Sequence, residues 1–362
     1  MRLMITTALY PPAAGGAAIY FGGLAPLLAE RPEIERLVVL TERLPGQQRR
    51  ETIDGVLVLR RLPARVALPR CTWLGHAASY LLTQLRFAFF LPRLVSEYGV
   101  ELLHFHTRFR GRLFYSALRR SGVPIVADLR DKMTDPARLV GVADRLLCCS
   151  EAVRGFAVRG GFPADRTSLI PAGFWQPSVR PPERVAAARR RYRLGDGPYV
   201  LFLGDVTAAK GVYELLEAYA RWRKAHPDTQ LVFAGVDWEG SNYLNRVAAV
   251  DGASYVGSVP HADALALIQG AEIVALPSRS EALGVVILEA VALGRKVICP
   301  PAVPEFAEHL GPFVLSEVSA EAIEEKLEAV WQSELRPRYP LSRHAMPLVA
   351  GALVRLYAET LG

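Results

Sequence analysis

Three side chains in this sequence have the type and spacing for chemistry on a phosphate-bearing ligand. Glu281 and Glu289 stand eight residues apart in Glu281-Ala282-Leu283-Gly284-Val285-Val286-Ile287-Leu288-Glu289. Glu281 follows Ala275-Leu276-Pro277-Ser278 and falls just past a strand end. Gly284 opens a helical pattern whose first backbone N–H groups lack partners within the helix, a setting suited to a diphosphate at Gly284 and Val285. Glu289 lies inside the apolar run Val285–Leu293. A carboxylate there is costly to bury without hydroxyl or cationic partners, and Arg295 is the candidate for a purely structural pair. Lys210 closes Gly204-Asp205-Val206-Thr207-Ala208-Ala209-Lys210, directly after the strand Val200–Leu203. A glycine at that strand end, Gly204, admits a ligand to the backbone. A lysine before a helix reaches phosphate as a point charge. Taken alone it reads more readily as an inert surface lysine.

The first half holds weaker candidates. Arg130-Asp131 follows the short strand Ile125–Ala127 and reads either as a functional pair or as an ion pair in a surface loop. His104 and His106 alternate on Leu103-His104-Phe105-His106, so both side chains share one face. No third ligand stands at readable spacing, and a structural or cleft-wall role is favoured over metal binding. Arginines interleave with aromatics in Arg108–Tyr115 and in Tyr80–Leu94, which contains Arg86 and Arg93. That pattern suits an anionic membrane surface, although a helix in a layered fold needs an apolar face in any case. The four cysteines, Cys71, Cys148, Cys149 and Cys299, form no Cys-x-x-Cys pair. They indicate a reduced, cytoplasmic protein.

These residues need strands to carry them. Leu3–Leu9, Leu37–Leu40, Val56–Leu59, Leu102–Phe105, Ile125–Ala127 and Leu146–Cys149 read as short buried strands with helical patterns between them. A small-residue loop, Ala13-Ala14-Gly15-Gly16-Ala17-Ala18, separates the first strand from a helix starting near Ile19. After the proline-rich stretch at 171–182 a second series begins. Its strands are Val200–Leu203, Leu231–Ala234, Ser254–Val256, Ile273–Leu276 and Lys296–Cys299; its helices are Tyr213–Lys224, Ala262–Gln269, Val285–Leu293 and Ala320–Trp331. A last helix covers about 348–361. Alternation of this kind predicts α/β domains with mostly parallel sheets, whose ligands bind beyond the carboxyl ends of the strands. The chain has 362 residues, enough for two such domains.

The whole pattern resembles the retaining glycosyltransferases of GT-B fold, family 4 in particular. The Glu-x7-Glu spacing after Pro277-Ser278, and before Glu289-Ala290, carries most of the resemblance. Tyr10-Pro11-Pro12 with Gly15-Gly16, Ala143-Asp144-Arg145-Leu146 with Ser150-Glu151-Ala152, and Ile170-Pro171-Ala172-Gly173 are similar to other family segments in the same order. Ala234-Gly235 and Tyr255-Val256-Gly257 are similar to two further strand ends. The resemblance implies a GT-B architecture of two Rossmann-like doubly wound domains facing a central cleft. Residues 1–175, with a C-terminal helix at about 345–362 packing back, would form the acceptor-side domain. Residues 176–344 would form the nucleotide-sugar domain. It further implies that Glu281 accepts hydrogen bonds from donor-sugar hydroxyls and that Glu289 binds the ribose. Lys210 would neutralise the diphosphate, with N–H groups around Gly284 and Val285. Ser258 and Val259 would meet the nucleobase through their backbone, and Gly15 and Gly16 would face the diphosphate and acceptor. Two positions depart from the pattern. Asp205 stands where the family usually has an arginine, and Arg279 is the candidate to replace that charge. Arg130-Asp131 stands where many members have His-Asp, and is similar to an Arg-Asp subgroup. There Arg130 would stabilise the leaving group or an anionic sugar, and Asp131 would orient the acceptor.

Composition bounds the partners. Residues 1–175 hold 24 Lys and Arg against 14 Asp and Glu, 24 − 14 = +10, whereas residues 176–362 hold 19 against 22, 19 − 22 = −3. A basic first half suits anionic lipid, a phosphorylated acceptor or nucleic acid. Nucleic acid is disfavoured because no recognition motif accompanies the charge. No run of about 20 apolar residues predicts a membrane span. The expected protein is a cytoplasmic glycosyltransferase, peripheral on the inner membrane face, acting in cell-surface polysaccharide or glycoconjugate synthesis. It would move a sugar from a nucleotide-sugar donor to a glycan or lipid-linked acceptor with retention. Asp128 and Asp131 have the wrong spacing for an Asp-x-Asp metal motif, so no metal and no cofactor beyond the donor is expected. The rival expectations are a nucleotide-sugar epimerase on the same fold and a catalytically degenerate nucleotide-sugar-binding subunit.

Overall fold

The structure is a computed structural model that describes residues 1–13, 15–63 and 73–362, without the side chains of 63 and 73–79. Ala14 and Cys71 lie outside the described residues. The chain divides into two compact units, Met1–Trp175 with Arg343–Gly362, and Gln176–Ser342.

In the first unit the strands are β1 (Arg2–Thr6), β2 (Arg36–Arg43), β3 (Arg50–Ile53), β4 (Val56–Pro63), β5 (Leu102–His106), β6 (Ile125–Leu129), β7 (Arg145–Cys148) and β8 (Thr167–Leu169). They form one sheet in the order β3-β4-β2-β1-β5-β6-β7-β8. Every pairing is parallel except β3 with β4. Parallel strands are covered on both faces, so β1, β2, β5 and β6 read as nearly unbroken buried runs. The helices are α1 (Gly16–Ala29), α2 (Trp73–Glu97), α3 (Arg112–Arg119) and α4 (Glu151–Arg159). β3 and β8 were missed by the sequence reading. β3, Arg-Glu-Thr-Ile, is a half-exposed edge strand with no apolar run, and β8 is three residues long.

The second unit holds a five-stranded parallel sheet of β9 (Tyr199–Leu203), β10 (Gln230–Ala234), β11 (Ala253–Tyr255), β12 (Ile273–Ala275) and β13 (Lys296–Ile298), in the order β11-β10-β9-β12-β13. Its helices are α5 (Pro182–Arg191), α6 (Val212–Trp222), α7 (Ser241–Ala249), α8 (His261–Gly270), α9 (Val285–Ala292), α10 (Pro304–Leu310) and α11 (Ala320–Gln332). The sequence reading has no α7 or α10. α7 buries only Tyr243 and Val247, too few to give a helical period. α10 spans seven residues.

α12 (Met346–Leu361) belongs to the first unit. His344 donates its Nδ1 hydrogen to the Ala172 carbonyl at 2.8 Å, and the Phe174 N–H bonds the His344 carbonyl, so the returning chain docks beside residues 172–174. Met346, Val349, Leu353 and Tyr357 then enter the core with Phe21, Leu24 and Leu28 of α1. Among the described residues no helix is long and apolar enough to cross a membrane.

Candidate functional site

In the second sheet β9 is flanked by β10 on one side and β12 on the other. Connections leave β9 and β12 in opposite directions, which opens a crevice at their carboxyl ends. Lys210 follows β9 and Glu281 follows β12, so topology alone brings them together. The Lys210 ammonium donates to Glu281 Oε2, and the two side chains keep 25% and 12% exposure, so the pair is open to a ligand yet partly shielded from water. The other carboxylate oxygen of Glu281 accepts from the Ala282 N–H.

The backbone around this pair is tightly constrained. Gly211 takes φ +71°, and a Cβ there would lie 2.2 Å from the Pro277 carbonyl. Gly235, after β10, packs so closely that a Cβ would lie 1.8 Å from the Gly204 carbonyl. Only glycine satisfies both demands. The loop from Gly204 to Gly211 is also bonded on both flanks. The Ala208 N–H donates to Glu239, and the Arg279 N–H donates to the Ala209 carbonyl. Gly284 caps α9 at φ 76°, ψ 64°, and no side chain caps that helix end.

Glu289 is buried on α9, 8% exposed, and its Oε1 meets His261 Nε2 at 2.8 Å. The structural partner expected from sequence, Arg295, instead donates to the Leu293 and Ala271 carbonyls, because the chain turns at Gly294 before reaching it. His261 opens α8 just after Ser258 and Val259, so the β11 loop and Glu289 adjoin. The sequence reading missed His261; nothing in its local pattern marks it. Asp205 is exposed, and among the described residues it makes no hydrogen bond or ion pair. Arg279, the candidate to replace the charge absent at Asp205, has its guanidinium held by Glu214 of α6 at 2.7 Å and by the Ala208 and Val318 carbonyls.

The first unit has its own polar cluster at the carboxyl ends of β1, β5 and β6. Gly15 caps α1 with φ 117°, and Gly15 and Gly16 are exposed. Asp128, on β6, is fully buried. It meets Arg130 at 3.5 Å and His104 Nε2 at 3.2 Å, and His104 Nδ1 lies 2.6 Å from the Tyr357 hydroxyl of α12. With a neutral ring, Nε2 donates to the carboxylate and Tyr357 donates to Nδ1. Burial pushes the Asp128 carboxyl up, but Arg130 and the His104 hydrogen bond outweigh it and hold the group below the usual carboxylate value. Arg130 lies 3.5 Å over the Tyr20 ring. Burial disfavours its charge, and Tyr20 and Asp128 more than restore it. Asp131 points elsewhere, accepting from Arg110 at 3.2 Å and from the Met133 N–H at 2.9 Å. Arg130 and Asp131 are therefore not paired with each other. Both histidine rings pack on Phe21, and His106 Nδ1 meets Thr7 Oγ1. Burial depresses His106 to about 3. Among the described residues no three His, Cys, Asp or Glu side chains converge as a metal site. Cys148, Cys149 and Cys299 are buried free thiols.

The family model "Glycosyl transferase 4-like domain" matches residues 15–173, and "Glycosyl transferases group 1" matches residues 186–344. The chain is 34% identical over 179 residues to alpha-D-kanosaminyltransferase of Streptomyces kanamyceticus, covering 46% of this chain and 45% of that enzyme. It is 27% identical over 325 residues to D-inositol 3-phosphate glycosyltransferase of Acidothermus cellulolyticus, covering 79% and 70%. The fold matches a glycosyltransferase crystal structure from Rickettsia africae with TM-score 0.73 and 15% identity, covering 99% of this chain and 98% of that one. With both family models placed in tandem on a GT-B fold, the chain belongs to the family 4-like glycosyltransferases.

Proposed function

We propose that this chain transfers a sugar from a nucleotide-sugar donor to a glycan or lipid-linked acceptor, with retention, in cell-surface polysaccharide or glycoconjugate synthesis. The observation that carries the reading is the Lys210–Glu281 pair at the β9/β12 crevice, beside the left-handed Gly284 cap. The arriving diphosphate takes over the lysine. Glu281 is released to accept donor-sugar hydroxyls. N–H groups at Gly284 and Val285 share the charge that develops on the leaving diphosphate. Glu289, with His261 beside it, receives the ribose, and the backbone at Ser258 and Val259 meets the base. Gly204 lets the ligand close on the sheet end. In the first unit Gly15 and Gly16 admit the diphosphate and acceptor, Arg130 supports the leaving group or an anionic sugar, and Asp131 orients the acceptor. The lysine and the N–H groups meet the diphosphate charge without a metal. The names of two relatives, one a kanosaminyltransferase and one a D-inositol 3-phosphate glycosyltransferase, speak for sugar transfer. The basic first unit sits at the inner face of an anionic membrane.

The test is transfer of labelled sugar to acceptor by the parent, Glu281→Gln and Lys210→Ala. Each variant falls by at least roughly 10²-fold, the scale for losing one group that stabilises developing charge. Near-parental transfer by either folded variant contradicts the site. A second reading, a nucleotide-sugar-binding subunit without turnover, draws on the exposed Asp205 where a cation is usual. Calorimetric donor binding with no transfer and no donor consumption would favour it. Interconversion of donor alone, without acceptor, would favour an epimerase.

A further inference from the structure

We propose that His261 is a positioning residue for the donor. It ties one oxygen of the Glu289 carboxylate, leaves the other for the ribose hydroxyls, and so sets selectivity for a ribonucleotide over its deoxy counterpart. This role rests on the reading above, in which Glu289 receives the ribose. Glu289 lies among Ile287, Leu288, Ala290 and Val291, the buried residues of α9, and its side chain keeps 10% exposure. A carboxylate so placed is costly without a donor. His261 supplies it, with Nε2 at 2.8 Å from Oε1. Among the described residues Glu289 has no other side-chain hydrogen bond or ion pair. An ionised carboxylate has no hydrogen to give, so Nε2 carries the hydrogen of this bond. Glu289 Oε2 keeps its full accepting capacity and is not sealed from solvent.

The backbone fixes His261 at that spot. The Gly235 N–H donates to the Gly257 carbonyl and the Tyr255 hydroxyl to the Gly235 carbonyl, so the segment after β11 is tied to the end of β10. Pro260 caps α8, its carbonyl accepting from the Asp263 and Ala264 N–H groups, and His261 is the first helical residue. As a helix residue a histidine gains nothing there, because a cationic ring opposes the positive amino end of the helix. Its bond to Glu289, 28 positions away, accounts for the placement. The ring is 38% exposed, which leaves the pair accessible to a nucleotide. Ser258 and Val259, proposed to meet the base, stand just before it, so one anchored segment serves both base and ribose.

Calorimetry on the full chain tests this, with uridine, guanosine and adenosine diphosphates and the 2′-deoxy and 3′-deoxy forms of whichever binds. The parent binds the ribonucleotide at least about tenfold more tightly than one of the deoxy forms, the scale for a hydrogen bond to a charged group. His261→Ala brings that ratio close to one. His261→Asn, polar but with an amide too short to reach Oε1, does the same and guards against a misfolded alanine variant. His261→Gln, whose amide donates from about the distance of Nε2, restores most of the ratio. A histidine with a merely structural role would, when replaced, weaken all nucleotides alike and leave the ratio in place. The parental ratio kept in His261→Ala or His261→Asn, but lost in Glu289→Gln, would overturn the role of His261 alone. A ratio near one in the parent, or no binding of any of these diphosphates, would overturn the ribose reading of Glu289 and this role with it.

Discussion

At the scale of single residues, the crevice proposed to hold the donor depends on backbone positions as much as on charged groups. Gly211 sits at φ +71° against the Pro277 carbonyl, directly after Lys210. Gly211→Ala must open that contact or change φ, at a cost of about 1–3 kcal/mol. It also draws Lys210 away from Glu281. The expected outcome is a lower urea midpoint together with weaker nucleotide-sugar binding; an unchanged midpoint would show the turn to be compliant. The placement of Glu281, Glu289 and Lys210 at strand and helix ends was legible in the sequence, because each stands at a short offset from an apolar run. Their partners were not. Glu281 and Lys210 are 71 positions apart, His261 carries no local signal, and Arg279 bonds Glu214 from 65 positions away.

At the scale of elements, a buried chain runs from Tyr357 on α12 through His104 on β5 and Asp128 on β6 to Arg130. The C-terminal helix thus steadies the arginine that the proposed mechanism uses. Tyr357→Phe leaves His104 Nδ1 without its donor, costing about 1–3 kcal/mol. Under the proposed role of Arg130, kcat falls while KM for the donor holds, measured well below the melting temperature. Unchanged kcat in the folded variant would limit Tyr357 to packing. The buried parallel strands were legible from their apolar runs, since both faces of each are covered. Edge strand β3, with alternating partial exposure, and the polar α7 gave no comparable period. The return of α12 to the first unit rests on contacts such as Phe174 with His344, which no local pattern encodes.

At the scale of the whole molecule, the two units differ in charge, and buried groups of the first tie stability to acid. His106 stays neutral in the folded chain down to about pH 3, whereas an unfolded chain takes up that proton near its ordinary value of 6.5. The unfolded state therefore binds more protons below 6.5. Stability is intact above that pH and is lost as pH falls toward 3, at about 1.4 kcal/mol per unit. Burial lowers His344 with the same sign, and Asp128 adds to the loss at the acid end. Between pH 7 and pH 5, urea unfolding of the parent should lose about 2 kcal/mol more than that of His106→Asn. Equal losses would remove His106 as the cause. The proposed donor site lies in the other unit, and its occupancy is best read by thermal unfolding of the parent, Lys210→Ala and Glu281→Gln against a panel of nucleotide sugars. At about 100 times the dissociation constant a bound donor adds about 2.7 kcal/mol, which raises the parent's melting temperature by about 5 °C or more. The account predicts that rise for at least one donor and its loss in both variants. No stabilisation of the parent by any nucleotide sugar, or the same rise in all three proteins, would contradict it.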